Sequence, residues 1–129
     1  MEEVLAQADI TACLLPLTDE TRGLLGETAF AKTKPGSAVI NFARGPIIDD
    51  GALLRALDSG RLRHAVLDVF DGEPLPEDSP LWTHPDVTVL PHISALTQSD
   101  SAAEIVARNI RHWRATGELP PAVDRERGY

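Results

Sequence analysis

The sequence predicts an α/β fold, a partial doubly wound parallel sheet of three to four strands with flanking helices, and three observations predict it. Four short apolar runs recur along the 129 residues, more than twenty residues with a helical pattern separate the first three of them, and the helical segments carry their own start and stop residues. The runs are Ile10 to Leu15, Ala38 to Phe42, Ala65 to Phe70 and Val87 to Leu90. Each is too short for a buried helix. Their apolar residues are nearly continuous rather than alternating, as in strands of a parallel sheet covered on both faces. The gaps are long enough for the crossovers that parallel pairing requires.

The first crossover helix is expected over Glu27 to Lys34, where Pro35-Gly36 stops it. The second is expected over 50–59: Asp49 and Asp50 supply a cap and a first-turn acid, Leu53, Leu54 and Leu57 form the apolar stripe, and Gly60 ends it. The longest is expected over 98–116, with Thr97 or Ser99 as cap and Gly117 as stop. Ala102, Ile105, Val106, Ile110 and Trp113 share one face of it, and Arg108, Arg111 and Arg114 form a solvated face opposite. These elements place a domain boundary at residue 117, after which a polar tail over 118–129 opens with Pro120-Pro121.

Composition narrows the function classes. With 43% apolar and 25% charged residues the chain is an ordinary globular sequence, and 12 basic against 20 acidic residues leave a net charge of −8 without an acidic block. Phosphate backbones need a basic surface, so nucleic acid is excluded as a generic partner. No apolar run approaches a membrane span of about 18 to 20 residues, and the N-terminus MEEVLAQADI lacks the basic and apolar regions of a leader. A cytoplasmic location is expected. The single cysteine, Cys13, lies inside the first apolar run and reads as a buried structural thiol.

Ligands of open parallel sheets bind outside the carboxyl ends of the strands, so the residues just after each run carry the most information. They are Pro16 to Gly23, Ala43-Arg44-Gly45, Asp71-Gly72-Glu73-Pro74 and Pro91-His92-Ile93-Ser94. An arginine, a glutamate and a histidine therefore fall on one rim. The planar fork of Arg44 suits a carboxylate and the carbonyl beside it. His92 suits proton donation to that oxygen, and Glu73, hydrogen-bonded to the imidazole, would fix its tautomer and favour its protonated form. The electron pair must come from outside the side chains, and a nicotinamide is the natural donor. The remaining histidines fit less well: His64 is expected just ahead of a strand, His84 in a loop and His112 on a helix, none with metal-ligand spacing.

Four strings carry a resemblance: Leu15-Pro16-Leu17-Thr18-Asp19-Glu20-Thr21-Arg22-Gly23, Asn41-Phe42-Ala43-Arg44-Gly45, Leu67-Asp68-Val69-Phe70-Asp71-Gly72-Glu73-Pro74 and Pro91-His92-Ile93-Ser94. Together they resemble the second half of the nucleotide-binding domain of D-isomer-specific 2-hydroxyacid dehydrogenases, which is a Rossmann-like sheet. Ser79-Pro80-Leu81-Trp82 and the tail Val123 to Tyr129 are most similar to the glyoxylate/hydroxypyruvate reductases of that family. The resemblance implies NAD or NADP as cofactor and a small 2-oxo or 2-hydroxy acid as substrate. It implies that Arg44 binds substrate, that His92 donates the proton and that Glu73 is its partner. It also implies that Leu15, Pro16 and Thr21 lie beside the cofactor's ribose and phosphates, Phe42, Ala43 and Ser94 near its nicotinamide, and Asp68 on its carboxamide.

The glycine turn that such a domain uses for the pyrophosphate is missing, since no two of the nine glycines are two residues apart. The chain therefore reads as a C-terminal piece that begins inside the cofactor domain, and the residues that choose between NAD and NADP are absent. Two functions are compatible with this: part of an oxidoreductase, inactive until completed, or a non-catalytic binding or assembly module of the same fold. Retention of Arg44, Glu73 and His92 as a set favours the first. Glu73 and His92 are expected within hydrogen-bond reach with Arg44 nearby, and the chain is expected to self-associate as a homo-oligomer, a dimer being one such form.

Overall fold

The computed structural model of the chain describes residues 1–127; Gly128 and Tyr129, the end of the tail that carries part of the resemblance, lie outside them. It divides into two compact units, Met1–Ser94 and Ala95–Tyr129, with the division ahead of the long helix rather than behind it.

The first unit is a four-stranded parallel sheet. Strands β1 (Ile10–Cys13), β2 (Ser37–Asn41), β3 (Leu62–Leu67) and β4 (Val87–Val89) lie side by side in chain order, every neighbouring pair parallel. The predicted strands are all present, each with shifted ends. Leu14 and Leu15 lie beyond β1 and Asp68 to Phe70 beyond β3, because the chain turns away once its last ladder partner is used. At its other end β3 starts three residues before Ala65, so His64 sits inside the strand, its Nε2 2.9 Å from the Thr88 hydroxyl on β4. The expectation of a position ahead of the strand fails for His64 because an exposed sheet face accepts a polar residue, which breaks the apolar run without ending the strand.

The same asymmetry corrects the expectation of strands covered on both faces. Burial alternates along β2 and β3. In register, Cys13, Val39, Ala65 and Leu67 join the core with residues of the crossover helices, whereas Ile10, Ala12, Ala38, Ile40, Val66 and Thr88 are only partly buried or exposed. Cys13 is buried as expected.

Helix α1 (Glu2–Gln7) carries no cap or stripe that signals it in the sequence. It buries only Leu5, and Lys32 pairs with its Glu2 while Lys34 Nζ reaches Asp9, just past its end, at 2.6 Å. Helix α2 (Glu27–Ala31) is shorter than predicted, since Lys32 to Lys34 turn back with the Thr33 hydroxyl donating to the Phe30 carbonyl at 2.8 Å. Helix α3 (Asp50–Asp58) begins at the predicted cap, where Asp49 accepts the Ala52 N–H at 2.8 Å, and ends ahead of Gly60 at φ +70°. Ala52, Leu53, Ala56 and Leu57 are its buried face.

The second unit contains α4 (Ser99–Thr116), closed by Gly117 at φ +75°. Gln98 occupies its N-cap position and no side chain caps it, unlike the Thr97 or Ser99 expected. The helix buries no residue; Ile105, Val106, Ile110 and Trp113 are each about half exposed. Among the described residues, no helix is long and apolar enough to cross a membrane.

Candidate active site

All four strands point their carboxyl ends at one rim, and the loops there are tied to one another before any side chain is considered. Beyond β1, Gly23 N–H donates to the Pro46 carbonyl at 2.8 Å and Leu25 N–H to that of Ile47 at 3.0 Å, which joins the first loop to the second. At the end of β2, Asn41 is 1% exposed and shapes the turn that carries Arg44: its Oδ1 accepts the Ala43 N–H and its Nδ2 donates to the Arg44 carbonyl, both at 3.1 Å. A buried amide at a strand end satisfies the two backbone groups the ladder leaves behind. Gly45 then presses on the third loop so closely that a Cβ there would stand 1.9 Å from the Phe70 carbonyl carbon.

On that third loop Glu73 is held from two sides. Its Oε1 accepts the Phe70 N–H at 3.0 Å and its Oε2 lies 2.7 Å from His92 Nδ1. The Phe70 N–H, the His92 hydrogen bond and the charges of His92 and Arg44 outweigh partial burial and hold the Glu73 carboxyl below its ordinary range. Glu73 is thus an acceptor at neutral pH, so Nδ1 of His92 is the donor in their contact and Nε2 is left for other chemistry. The Glu73–His92 contact expected from the sequence is present. Arg44 is exposed and donates from Nη1 to the Ala43 carbonyl at 2.6 Å, and the rest of its fork meets no acceptor among the described residues.

Asp68 is 2% exposed, with Oδ1 accepting the Ile93 N–H at 2.9 Å and Oδ2 the Ser94 N–H at 2.8 Å. Burial pushes its carboxyl up, but the two amides, the Ser94 side chain and the nearby His92 more than offset this and leave it below its ordinary value. His92 has φ +54°, a left-handed conformation in a residue that is not glycine.

The remaining candidates lie on the same rim. Leu15 and Pro16 are exposed just past β1; Phe42 is partly buried and Ala43 buried past β2; Ser94 is exposed past β4. The Thr21 hydroxyl donates to the Pro16 carbonyl at 2.7 Å and accepts the Thr18 N–H at 2.8 Å, so it stiffens the loop. Exposed Leu15 and partly buried Phe42 offer apolar surface past β1 and β2, whereas the described residues offer no glycine turn for the pyrophosphate of a dinucleotide. Among the described residues no group of three His, Cys, Asp or Glu could hold a metal ion.

The pair helps to line an apolar hollow of about 440 Å³, together with Phe70, Leu75, Trp82, Val89 and Leu90. The structural roles of Asn41 and Gly45 were not legible in the sequence, where their trace was a polar residue closing an apolar run and a glycine directly after the arginine.

Comparison with known proteins identifies the family. Residues 1–94 match the family model of the D-isomer specific 2-hydroxyacid dehydrogenase NAD-binding domain. Among solved structures, a D-isomer specific 2-hydroxyacid dehydrogenase from Xanthobacter autotrophicus Py2, in complex with NADPH and MES, superposes with a TM-score of 0.92 at 43% identity, over 99% of this chain and 53% of that one. An NADPH-dependent glyoxylate/hydroxypyruvate reductase from Sinorhizobium meliloti, in complex with NADP and sulfate, gives 0.90 at 35% identity, over 99% and 42%. Phosphoglycerate dehydrogenase from Lactobacillus plantarum gives 0.72 at 39%, over 95% and 41%. The chain thus spans about half or less of each relative's length. With the family model matched over residues 1–94 and the parallel sheet shared with its solved members, the chain belongs to the D-isomer specific 2-hydroxyacid dehydrogenase family and forms part of its NAD-binding domain.

Proposed function

We propose that this chain supplies the acid-base and substrate-holding groups of an NAD(P)H-dependent reductase of small 2-oxo acids, with glyoxylate or hydroxypyruvate as the substrate class. The observation that carries the reading is the Glu73–His92 contact of 2.7 Å on the rim that also carries Arg44. Arg44 binds the substrate carboxylate with its free donors and polarises the adjacent carbonyl. His92 gives the Nε2 proton to the carbonyl oxygen as it becomes hydroxyl, and Glu73 stabilises the imidazolium from Nδ1. Leu15, Pro16, Thr21, Phe42, Ala43 and Ser94 would hold the nicotinamide nucleotide, with Arg44, His92 and Asp68 bordering it. That cofactor, NAD or NADP, supplies the hydride that no side chain can supply.

The chain alone is expected to be a poor catalyst, because the described residues hold no glycine turn for the pyrophosphate. It is also expected to act as a homo-oligomer in the cytoplasm. The test is oxidation of NADPH and of NADH with glyoxylate and with hydroxypyruvate, by this chain alone and after addition of the N-terminal half of the Xanthobacter relative. Turnover is expected only in the second case, and His92→Ala is expected to lower it by roughly 10²- to 10⁴-fold. Turnover that is indifferent to His92 would refute the reading, and no turnover in either case would favour a non-catalytic module.

A further inference from the structure

We propose that Asp68 is a positioning residue whose buried carboxylate clamps the backbone of Ile93 and Ser94 and thereby holds His92 against Glu73. The inference rests on reading Glu73 and His92 as the proton-donating pair, and it assigns Asp68 a task inside the protein besides its proposed place beside the cofactor.

Hydrogen bonds fix the loop on either side of His92. Residues 91–94 are exposed and belong to no helix or strand, so nothing in the sheet ladder holds them. On the near side of His92, the Leu90 N–H donates to the Leu67 carbonyl at 2.8 Å, the last rung between β3 and the chain leaving β4. On the far side, the Ile93 and Ser94 amides donate one to each oxygen of Asp68. Asp68 is itself anchored, since its N–H donates to the Asn41 carbonyl at 3.1 Å and its side chain is almost wholly enclosed. Only Pro91 and His92 lie between the two fixed points.

His92 needs that restraint. A non-glycine residue at φ +54° occupies a strained well, and such conformations persist where the surroundings over-determine them. Freed on its far side, the loop would relax to an extended conformation and swing the imidazole off Glu73. The chemistry of the clamp is specific as well. A carboxylate accepts at both oxygens and donates at neither, whereas an asparagine would set one N–H against a backbone N–H.

The experiment is solution NMR on the 129-residue chain without any ligand, reading amide hydrogen exchange together with the pH titration of the Glu73 side-chain carbonyl carbon. In Asp68→Asn the Ile93 and Ser94 amides are expected to exchange about tenfold faster or more. The Glu73 midpoint is expected to move up toward that of an ordinary glutamate as the His92 contact is lost. The amides of Val39 and Val66 in the sheet are expected to keep their protection. Glu73→Gln is expected to leave Ile93 and Ser94 protected, because the clamp does not depend on the pair. Ser94→Pro removes one donor at an exposed position without touching the buried carboxylate, and it should raise the Glu73 midpoint in the same direction even where Asp68→Asn fails to fold. A Glu73 midpoint unchanged in a folded Asp68→Asn, or in Ser94→Pro, overturns the proposal. Reductase activity is not among these readouts, so failure of the functional reading and failure of the clamp are told apart.

Discussion

His92 concentrates the conflict between function and stability at a single residue. Its left-handed backbone costs about 1–2 kcal/mol for an L residue with a Cβ, and the hydrogen bond to Glu73 returns about 0.5–1.5 kcal/mol. Removing the imidazole as His92→Ala keeps the strain and loses the bond, whereas His92→Gly loses both. Glycine at 92 is therefore expected to melt higher than alanine at 92 although both variants lack the proton donor. Thermal unfolding of the two side by side checks it, and a more stable alanine variant would deny the left-handed conformation. The carboxylates around it set the response to acid. Glu73 and Asp68 both have lowered folded pKa values. For Glu73 the Phe70 N–H and the His92 contact are the chief causes; for Asp68 the upward push of burial is outweighed by the amides of Ile93 and Ser94, the Ser94 side chain and His92. Each binds its proton less tightly folded than unfolded. The stability they add is thus fully present above the unfolded carboxyl value of about 4 and is lost as pH falls through the lower folded values. Asp50 runs the other way: burial and the charges of Asp71 and Asp49 raise its pKa, so its ionisation subtracts stability as pH rises through that value. Asp50→Asn is expected to raise the melting temperature at pH 7, with the gain shrinking as pH is lowered into the carboxylate range; a gain that does not depend on pH would assign it to something other than charge.

Between elements, backbone proximity couples the loops of the rim. At Gly45 an added methyl would meet the Phe70–Asp71 peptide at 1.9 to 2.3 Å, atoms that cannot move aside as a flexible side chain would. Gly45→Ala is expected to cost about 1–3 kcal/mol and to displace the Arg44 turn from the loop that carries Glu73. Chemical denaturation measures the first effect and shifts of the Glu73 and His92 resonances the second; an unperturbed Glu73 would show that the two loops are not coupled. Asp49→Ala, which removes the Ala52 cap of α3, is expected to cost about 1 kcal/mol and to leave those resonances in place. The cap also shows what a sequence can disclose, and the glycine what it withholds. The cap at Asp49, the stops at Gly60 and Gly117 and the three polar groups on the rim were legible because each is a local rule or derives from where a parallel sheet binds its ligand. The place of His64 within β3, the half-open sheet face and the duties of Asn41 and Asp68 were not. Those depend on which face the crossover helices cover and on which loop amides remain unpaired, and neither is written in any one segment.

At the scale of the molecule, the buried core and the longest exposed apolar helix face reside in different units. Every member of the core cluster lies between Leu5 and Leu81, inside Met1–Ser94, and α4 buries nothing. Residues 1–94 are therefore expected to unfold cooperatively with a midpoint within a few degrees of the whole chain, and a fragment that is unfolded would show that the sheet depends on residues 95–129. In α4, Ala102, Ile105, Val106, Ile110 and Trp113 project within one arc of roughly 140° at 100° per residue, and the last four are about half exposed. Apolar area of that kind, once contiguous over a few hundred Å², recruits a partner, and the net charge of −8 opposes but does not mask it. The whole chain is expected to show a mass that rises with concentration in sedimentation, Trp113 fluorescence shifting to the blue as it does, while Ile105→Glu with Ile110→Glu is expected to remain monomeric over the same range. Association that survives the double substitution would move the contact to the open edge of β1, where Ile10 is 55% exposed and, among the described residues, one side of the strand has no ladder partner.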